Sequence, residues 1–425
     1  MSNKIQAIRG MNDVLPDDAP LWEHFEDTAR AVFRRYGYRN IRTPIVERTE
    51  LFVRGVGAVT DIVEKEMYSF TDAMNGDALS LRPEGTAPTV RAALEHNLLY
   101  NGPQRLWYSG PLFRHERPQK GRYRQYHTFG AEVLGLPGPD VDIELLLMAH
   151  RLWKELGIPE VELQINTIGS ADERRAFRQR LIEYFESHAA QLDEDATRRL
   201  HTNPLRILDS KNPAMQEMIE AAPRLIDALG PDSRANFEAV QGGLRAAGIS
   251  YSVNPRLVRG LDYYNLTVFE WVSNRLGAQS AICSGGRYDG LFEQLGGKPT
   301  PGSGFGIGVE RTLLLLEESK MRHRNLPDAY IAQSGEGAAP YAMRTAELLR
   351  DGGLKVTLDC SGAGFKSQMK KADASGARWA VLIGSEEVAA QQVSVKDLRE
   401  NAAQTRCTVA EAAQMIMNIV DGKRG

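Results

Sequence analysis

Between Arg114 and Arg124 the chain carries five cationic side chains, Arg114, Arg117, Lys120, Arg122 and Arg124, against one carboxylate, Glu116, in a protein of 425 residues whose formal net charge is −3. That density is local and needs a local explanation. The flanking segments limit what fold can present it. Arg105 to Gly110 is apolar and aromatic enough for a strand, and Tyr126 to Leu134 alternates, with Phe129, Ala131 and Val133 on one face and Tyr126, Thr128, Gly130 and Glu132 on the other. Strand, basic loop, strand is an antiparallel pair. With its apolar face on a core, it presents Arg114, Tyr126 and Glu132 together on the open side: a phosphate clamp, an aromatic plate and a carboxylate. A solvated basic hairpin would carry the same charges, so other segments must decide.

Size and composition bound the rest. A chain of this length holds two or three domains with substantial cores, and 42% apolar with 25% charged residues is ordinary for a soluble protein. No window approaches eighteen uninterrupted apolar residues and the first residues lack an apolar signal core, so the expectation is a cytoplasmic protein with no membrane partner. Cys283, Cys360 and Cys407 lie far apart and show no paired metal spacing. No His-x-x-x-His pair accompanies a glutamate base, and no metal ligand is assigned to protein side chains. Metal-dependent hydrolysis has no support in these residues.

Along the chain, Asp17 and Asp18 are placed to cap a helix with Leu21, Phe25, Ala29, Val32, Phe33 and Tyr36 at helical spacing, stopped by Gly37. Tyr38 to Val46 reads as one strand broken at Pro44. Leu79 to Pro88 runs from a short strand into a helix beginning near Ala87, with Thr86 as its cap. Glu84 falls before that cap, where the helix dipole favours it little, and an external cation is the better reason for it. A helix spans Asp140 to Leu156 and a strand Val161 to Thr167. From Ala171 to about Ser250 the chain is charged, helical and punctuated by prolines. Thr267–Trp271 and Gln279–Cys283 read as strands, which makes Arg259–Tyr264 a turn-rich lead-in where Arg259 and Asp262 are placed to pair. From Leu326 onward strands and helices alternate, as in a small α/β domain with a partly parallel sheet. Lys366, Lys370, Lys371 and Arg378 there suit either phosphates or an ordinary charged helix face.

Phe113-Arg-His-Glu-Arg117 and Gly304-Phe-Gly-Ile-Gly-Val-Glu-Arg311 resemble motifs 2 and 3 of class II aminoacyl-tRNA synthetases. Leu257-Val-Arg-Gly-Leu-Asp-Tyr-Tyr264 and Ser284-Gly-Gly-Arg-Tyr-Asp-Gly290 resemble the signatures of the histidyl-tRNA synthetases among them. The four motifs are in order and the likeness spans nearly the whole chain. It implies an α+β fold: a catalytic domain on an antiparallel sheet over residues 1–325, interrupted by a helical insertion at 171–252, and a C-terminal anticodon-binding α/β domain over 326–425. The segment from the first helix to Val46 is similar to motif 1, which implies a homodimer.

The resemblance also implies an activity. L-Histidine would be activated with ATP to histidyl-adenylate, with release of pyrophosphate, and transferred to the terminal ribose of tRNA(His). Magnesium would be bound mainly through the ATP phosphates. Residue by residue, Arg114 and Arg259 fall to catalysis at the α-phosphate. Glu116, Arg122, Tyr126 and Arg311 fall with Arg114 to ATP, the adenine lying between Tyr126 and Arg311. Glu84, Thr86, Thr128, Glu132, Arg259, Tyr263, Tyr264 and Tyr288 fall to histidine, with Glu132 and Tyr264 meeting its ring nitrogens. Thr128 departs from the family, where a glutamine is common. Two other readings stay open: a histidine-binding regulatory paralogue, which typically lacks the C-terminal domain and the arginines, and a class II synthetase for proline or threonine.

Overall fold

In a computed structural model the described residues are 4–58, 60–158, 160–210, 212–318, 326–400 and 403–424. The chain divides into two compact units, 1–322 and 323–425; the junction at 319–325, where the expected domain boundary falls, lies outside the described residues.

The first unit is organised on an eight-stranded sheet whose spatial order is Arg39–Asn40, Gln104–Phe113, Gln125–Leu134, Gly302–Gly308, Ala281–Arg287, Asn265–Val272, Glu162–Thr167 and Tyr251–Val253. All its pairings are antiparallel except the two edge strands, Arg39–Asn40 and Tyr251–Val253. The predicted hairpin is present at full length. Its strands pair over ten positions from Gln104↔Leu134 to Phe113↔Gln125.

The alternation read in the second strand holds. Phe129, Ala131 and Val133 enter a core shared with Phe25, Ala29, Val32 and Phe33 of the helix Ala19–Arg35 and with Leu145, Met148 and Leu152 of the helix Pro139–Glu155. Fully burying each large apolar side chain here contributes about 1.5–3 kcal/mol. The other sheet face carries Tyr126, Thr128 and Glu132 beside a second apolar cluster that takes Leu106, Leu134 and Val268, and the site is built there.

Several elements differ from the sequence reading. Tyr38–Val46 is not one broken strand: Arg39–Asn40 joins the large sheet, while Val46–Arg48 joins a separate small sheet with Ala78–Leu81 and Ser69–Thr71. Asp18 stands at the N-cap of the first helix, but its side chain makes no capping bond. The strand expected at 279–283 begins at Ala281 and continues to Arg287, preceded by a 3₁₀ stretch. In the helical stretch after Gly169, the helix Ala171–Ser187 and the short helices that follow make a second cluster with Phe177, Leu181 and Phe185. The helix Pro231–Ala246 instead gives Phe237, Val240 and Leu244 to the main core.

In the second unit a five-stranded sheet has Val356–Leu358, Ala329–Gln333 and Trp379–Ile383 in parallel, followed by antiparallel Val393–Asp397 and Thr405–Cys407. Ala338–Asp351, Phe365–Ala374 and Val409–Arg424 are its longer helices. Thr405–Cys407 and the helix Ser385–Ala390 are additions to the alternation expected from sequence. No helix among the described residues is long and apolar enough to cross a membrane.

Candidate active site

One cleft on the polar face of the large sheet is lined by Arg114, Arg122, Arg259 and Arg311, together with Glu84, Thr86, Glu116, Tyr126, Thr128, Tyr263 and Tyr264. These come from four separate stretches of chain. Its residue types divide it into a basic end and a polar, phenol-lined end.

At the basic end the hairpin pairing runs one step beyond the strands, with the amide of Arg114 donating to the Arg124 carbonyl at 2.9 Å. Arg114 donates through Nε to the carbonyl of Pro83 at 2.9 Å, and its guanidinium lies 5.6 Å from the Tyr126 ring centre. The Tyr126 hydroxyl donates to the same carbonyl at 3.0 Å. Backbone of the 83–86 turn therefore locks both the clamp and the plate. Arg122 forms an ion pair with Glu116. Arg311 donates to the carbonyls of Gly121 and Ala281, each at 2.8 Å, which ties the start of its helix to the basic loop and to the central sheet. Burial lowers the pKa of Arg311, and the neighbouring charges of Arg122 and Arg114 act in the same direction. A site that crowds guanidinium groups this closely is electrostatically suited to a polyanion. Of the five cations in the loop, Arg117 and Lys120 are exposed and Arg124 turns back onto the Glu116 carbonyl.

Arg259 approaches from the opposite wall. It donates to Glu270 Oε1 at 2.6 Å and to Ser284 Oγ at 2.9 Å, with its guanidinium 5.4 Å from the Tyr264 ring centre. Burial on its own would lower its pKa, but the oxygens of Tyr264 and Glu270 outweigh that and raise it. The pairing with Asp262 that the sequence left open is not formed: Asp262 accepts from Asn203 at 3.2 Å, and Glu270 takes its place.

At the other end, Glu84 corrects the sequence reading. Its carboxylate does cap the helix Thr86–Glu95, accepting from the amides of Thr86 at 2.7 Å and Ala87 at 2.9 Å, while Gly85 holds the N-cap position. The Thr86 hydroxyl is not a cap; it donates to Glu132 Oε1 at 2.7 Å. Glu84 is 5% exposed, and burial raises its pKa although both amides and Arg114 oppose the shift. Tyr263 donates to it at 3.4 Å. Glu132 and Tyr288 are not on the cleft lining but directly behind it: Glu132 is wholly buried and receives hydroxyls from Thr86, Tyr108 at 3.1 Å and Tyr288 at 2.5 Å. Its carboxyl is pushed up to about 8, by burial first, with Glu84 adding and the three hydroxyls opposing. Thr128 lines the cleft with its hydroxyl turned to the Ile307 carbonyl at 3.0 Å.

Four residues with a part in this geometry were missed by the sequence reading. Tyr108 wedges its ring between Gly85 and Gly130, where an added Cβ would come within 2.2 Å of it at either position. Those two glycines were its only signal. Glu310 lines the cleft and holds the amide and ring nitrogen of His127, each at 2.9 Å. Glu270 holds Arg259. Arg287, in the signature beside Tyr288, is buried in an ion pair with Asp142 at 3.0 Å.

Comparisons with known proteins bear on the family and the fold. The family model for histidyl-tRNA synthetase matches residues 10–312, and that for an anticodon binding domain matches 328–419. A histidine–tRNA ligase of Nitrosomonas europaea is 60% identical over 420 residues, 99% of this chain and 100% of that protein. One of Laribacter hongkongensis is 61% identical over 95% of this chain and 96% of its own. Among solved structures, apo histidyl-tRNA synthetase of S. aureus superposes with a TM-score of 0.81 at 35% identity, covering 97% of this chain and all of that one. These matches, over nearly the whole chain and on the fold described above, make the chain a member of the histidyl-tRNA synthetase family.

Proposed function

We infer that the chain is a histidine–tRNA ligase that uses its cleft in two steps. In the first, a carboxylate oxygen of histidine attacks the α-phosphorus of ATP, the bond to pyrophosphate breaks, and histidyl-adenylate forms. In the second, a terminal ribose hydroxyl of tRNA(His) attacks the activated carbonyl carbon and AMP leaves. The observation that carries the reading is the placement of Arg114, Arg259 and Arg311, far apart in sequence, on one cleft whose other end is lined by Glu84, Thr86, Tyr263 and Tyr264. Negative charge grows on the α-phosphate as pyrophosphate departs. Cations fixed beforehand stabilise that charge, and each such donor is worth about 10²–10³ in rate.

Arg114 and Arg259 take the α-phosphate from opposite walls. Arg122 and Glu116 take the nucleotide, and the adenine lies between Tyr126 and Arg311. Glu84 and Thr86 receive the amino group of histidine, Tyr264 and Glu132 its ring nitrogens, and Tyr263 and Tyr288 hold the carboxylates in place. Thr128, shorter than the glutamine common in the family, meets histidine through a bridging water. A buried site that hydrogen-bonds a polar ring rejects analogues lacking it by about 10⁴–10⁵, so no editing domain is needed. Magnesium bound through the ATP phosphates would neutralise the leaving pyrophosphate, and the carboxylates of Glu116 and Glu310 on the lining are hard oxygen donors of the type that suits it.

The second unit reads the anticodon arm. Exposed Lys366 and Lys370 on its helix are its candidate phosphate contacts, since Lys371 is tied to Asp359 and Arg378 to Asp397 and Glu400. A homodimer in the cytoplasm fits the family; in its support, Ile5, Ile8, Leu15, Phe70 and Met74 are exposed apolar side chains on the first unit. ATP–pyrophosphate exchange measured with each of the twenty amino acids tests the reading. Exchange with histidine alone is expected; exchange supported by proline or threonine would sink it.

A further inference from the structure

Glu270 and Ser284 stand directly opposite each other on the neighbouring antiparallel strands Asn265–Val272 and Ala281–Arg287. Residues so paired project from the same face of a sheet. Arg259 reaches onto that face from the turn-rich segment before the first of these strands, and the two side chains take its two terminal nitrogens, Nη1 at 2.6 Å by Glu270 and Nη2 at 2.9 Å by Ser284. The third guanidinium nitrogen, Nε, is buried without a hydrogen-bond partner. Ser284 is on the cleft lining and Glu270 is not. The carboxylate therefore holds the cation from off the cleft lining.

We propose that Glu270 is a positioning residue for nucleotide activation: its carboxylate, acting with Ser284 as a two-point fork, fixes the plane and depth of the Arg259 guanidinium. The inference rests on the reading of Arg259 as the α-phosphate cation. An arginine side chain has many rotamers, and a buried cation without a countercharge is driven toward water. A carboxylate on the adjacent strand removes both problems before ATP arrives. Preorganisation of this kind acts on the rate at saturation, because Glu270, off the cleft lining, does not itself touch substrate. The amide of glutamine keeps an acceptor for Nη1 and loses the charge, so Glu270→Gln should retain more of the rate than Glu270→Ala.

The test is a double-mutant cycle in ATP–pyrophosphate exchange on the full-length chain, with Glu270→Ala, Glu270→Gln, Arg259→Ala and the pair Arg259→Ala with Glu270→Ala. Glu270→Ala should lower kcat about tenfold with both KM values within about twofold of wild type, against about 10²–10³ for Arg259→Ala. Adding Glu270→Ala to Arg259→Ala should change nothing further. A wild-type kcat for Glu270→Ala, or losses that multiply in the double variant, would overturn the role, since multiplied losses mean that Glu270 does not act through Arg259. Thermal unfolding of each variant separates loss of rate from loss of folded protein; a kcat that falls only in proportion to the folded fraction also overturns it. Arg259→Ala at wild-type rate would instead remove the α-phosphate reading beneath the inference.

Discussion

Glu132 is the residue whose environment says most about selectivity. Burial pushes its carboxyl up to about 8, which favours the protonated form at neutral pH. Histidine itself changes charge near pH 6.5. Between those two values, neutral imidazole meets a protonated acid and the pair already holds the one proton it shares when bound. Above about 8 the acid has lost that proton; below about 6.5 there is one too many. Histidine affinity measured by calorimetry should be highest from about pH 6.5 to 8 and fall on both sides, with proton uptake on binding just above 8. Affinity flat from pH 7 to 9 would contradict the assignment. For the fold the sign is opposite to that of a salt-bridged acid: the raised pKa contributes stability below the normal carboxyl pKa that is lost as pH rises through 8.

At the same scale, Glu132, Tyr126 and Thr128 were readable because strand alternation assigns a face to every second residue. Tyr108 was not, since an aromatic residue in an apolar strand looks like core. Glu84 was misread because a carboxylate two residues before a helix still reaches its first free amides.

Among elements, the basic loop depends on a segment to which the sequence reading gave no role. The carbonyl of Gly10 accepts from the amides of both Arg124 and Gln125, at 2.7 and 3.1 Å, and pins the base of the loop. Gly10 has φ +88°, and a Cβ there would stand 2.8 Å from the Pro118 ring. Strain at such a position costs about 1–3 kcal/mol. Gly10→Ala is therefore expected to raise the KM for ATP about tenfold and to leave that for histidine unchanged. An ATP KM equal to wild type would show that the loop holds itself. Long amphipathic elements, the first helix and the hairpin above all, were legible because their apolar periods run for two or more turns or pleats. The three-residue strands of the small sheet were not: Val46–Arg48 and Ser69–Thr71 leave most of their side chains to solvent, so no alternation marks them.

For the whole molecule, the alternation of strands and helices after Leu326 was enough to read a separate α/β unit, because parallel strands need crossovers that are visible in sequence. The convergence of four distant motifs on one face of the first sheet was not visible in any spacing; resemblance supplied it, and the strand order explains it. The hairpin, the strand Gly302–Gly308 and the strand Ala281–Arg287 are consecutive neighbours, so residues at their ends and in the turn bearing Arg259 meet over one cleft. The central claim is that these arginines stabilise charge in the transition state more than they bind ATP. It is tested most directly by rapid-quench measurement of adenylate formation in a single turnover, wild type against Arg259→Ala, over a range of ATP concentrations. A rate constant at saturating ATP lowered about 10²–10³-fold, with the ATP dissociation constant nearly unchanged, is the predicted result; a weakened dissociation constant with the saturated rate intact would contradict the account.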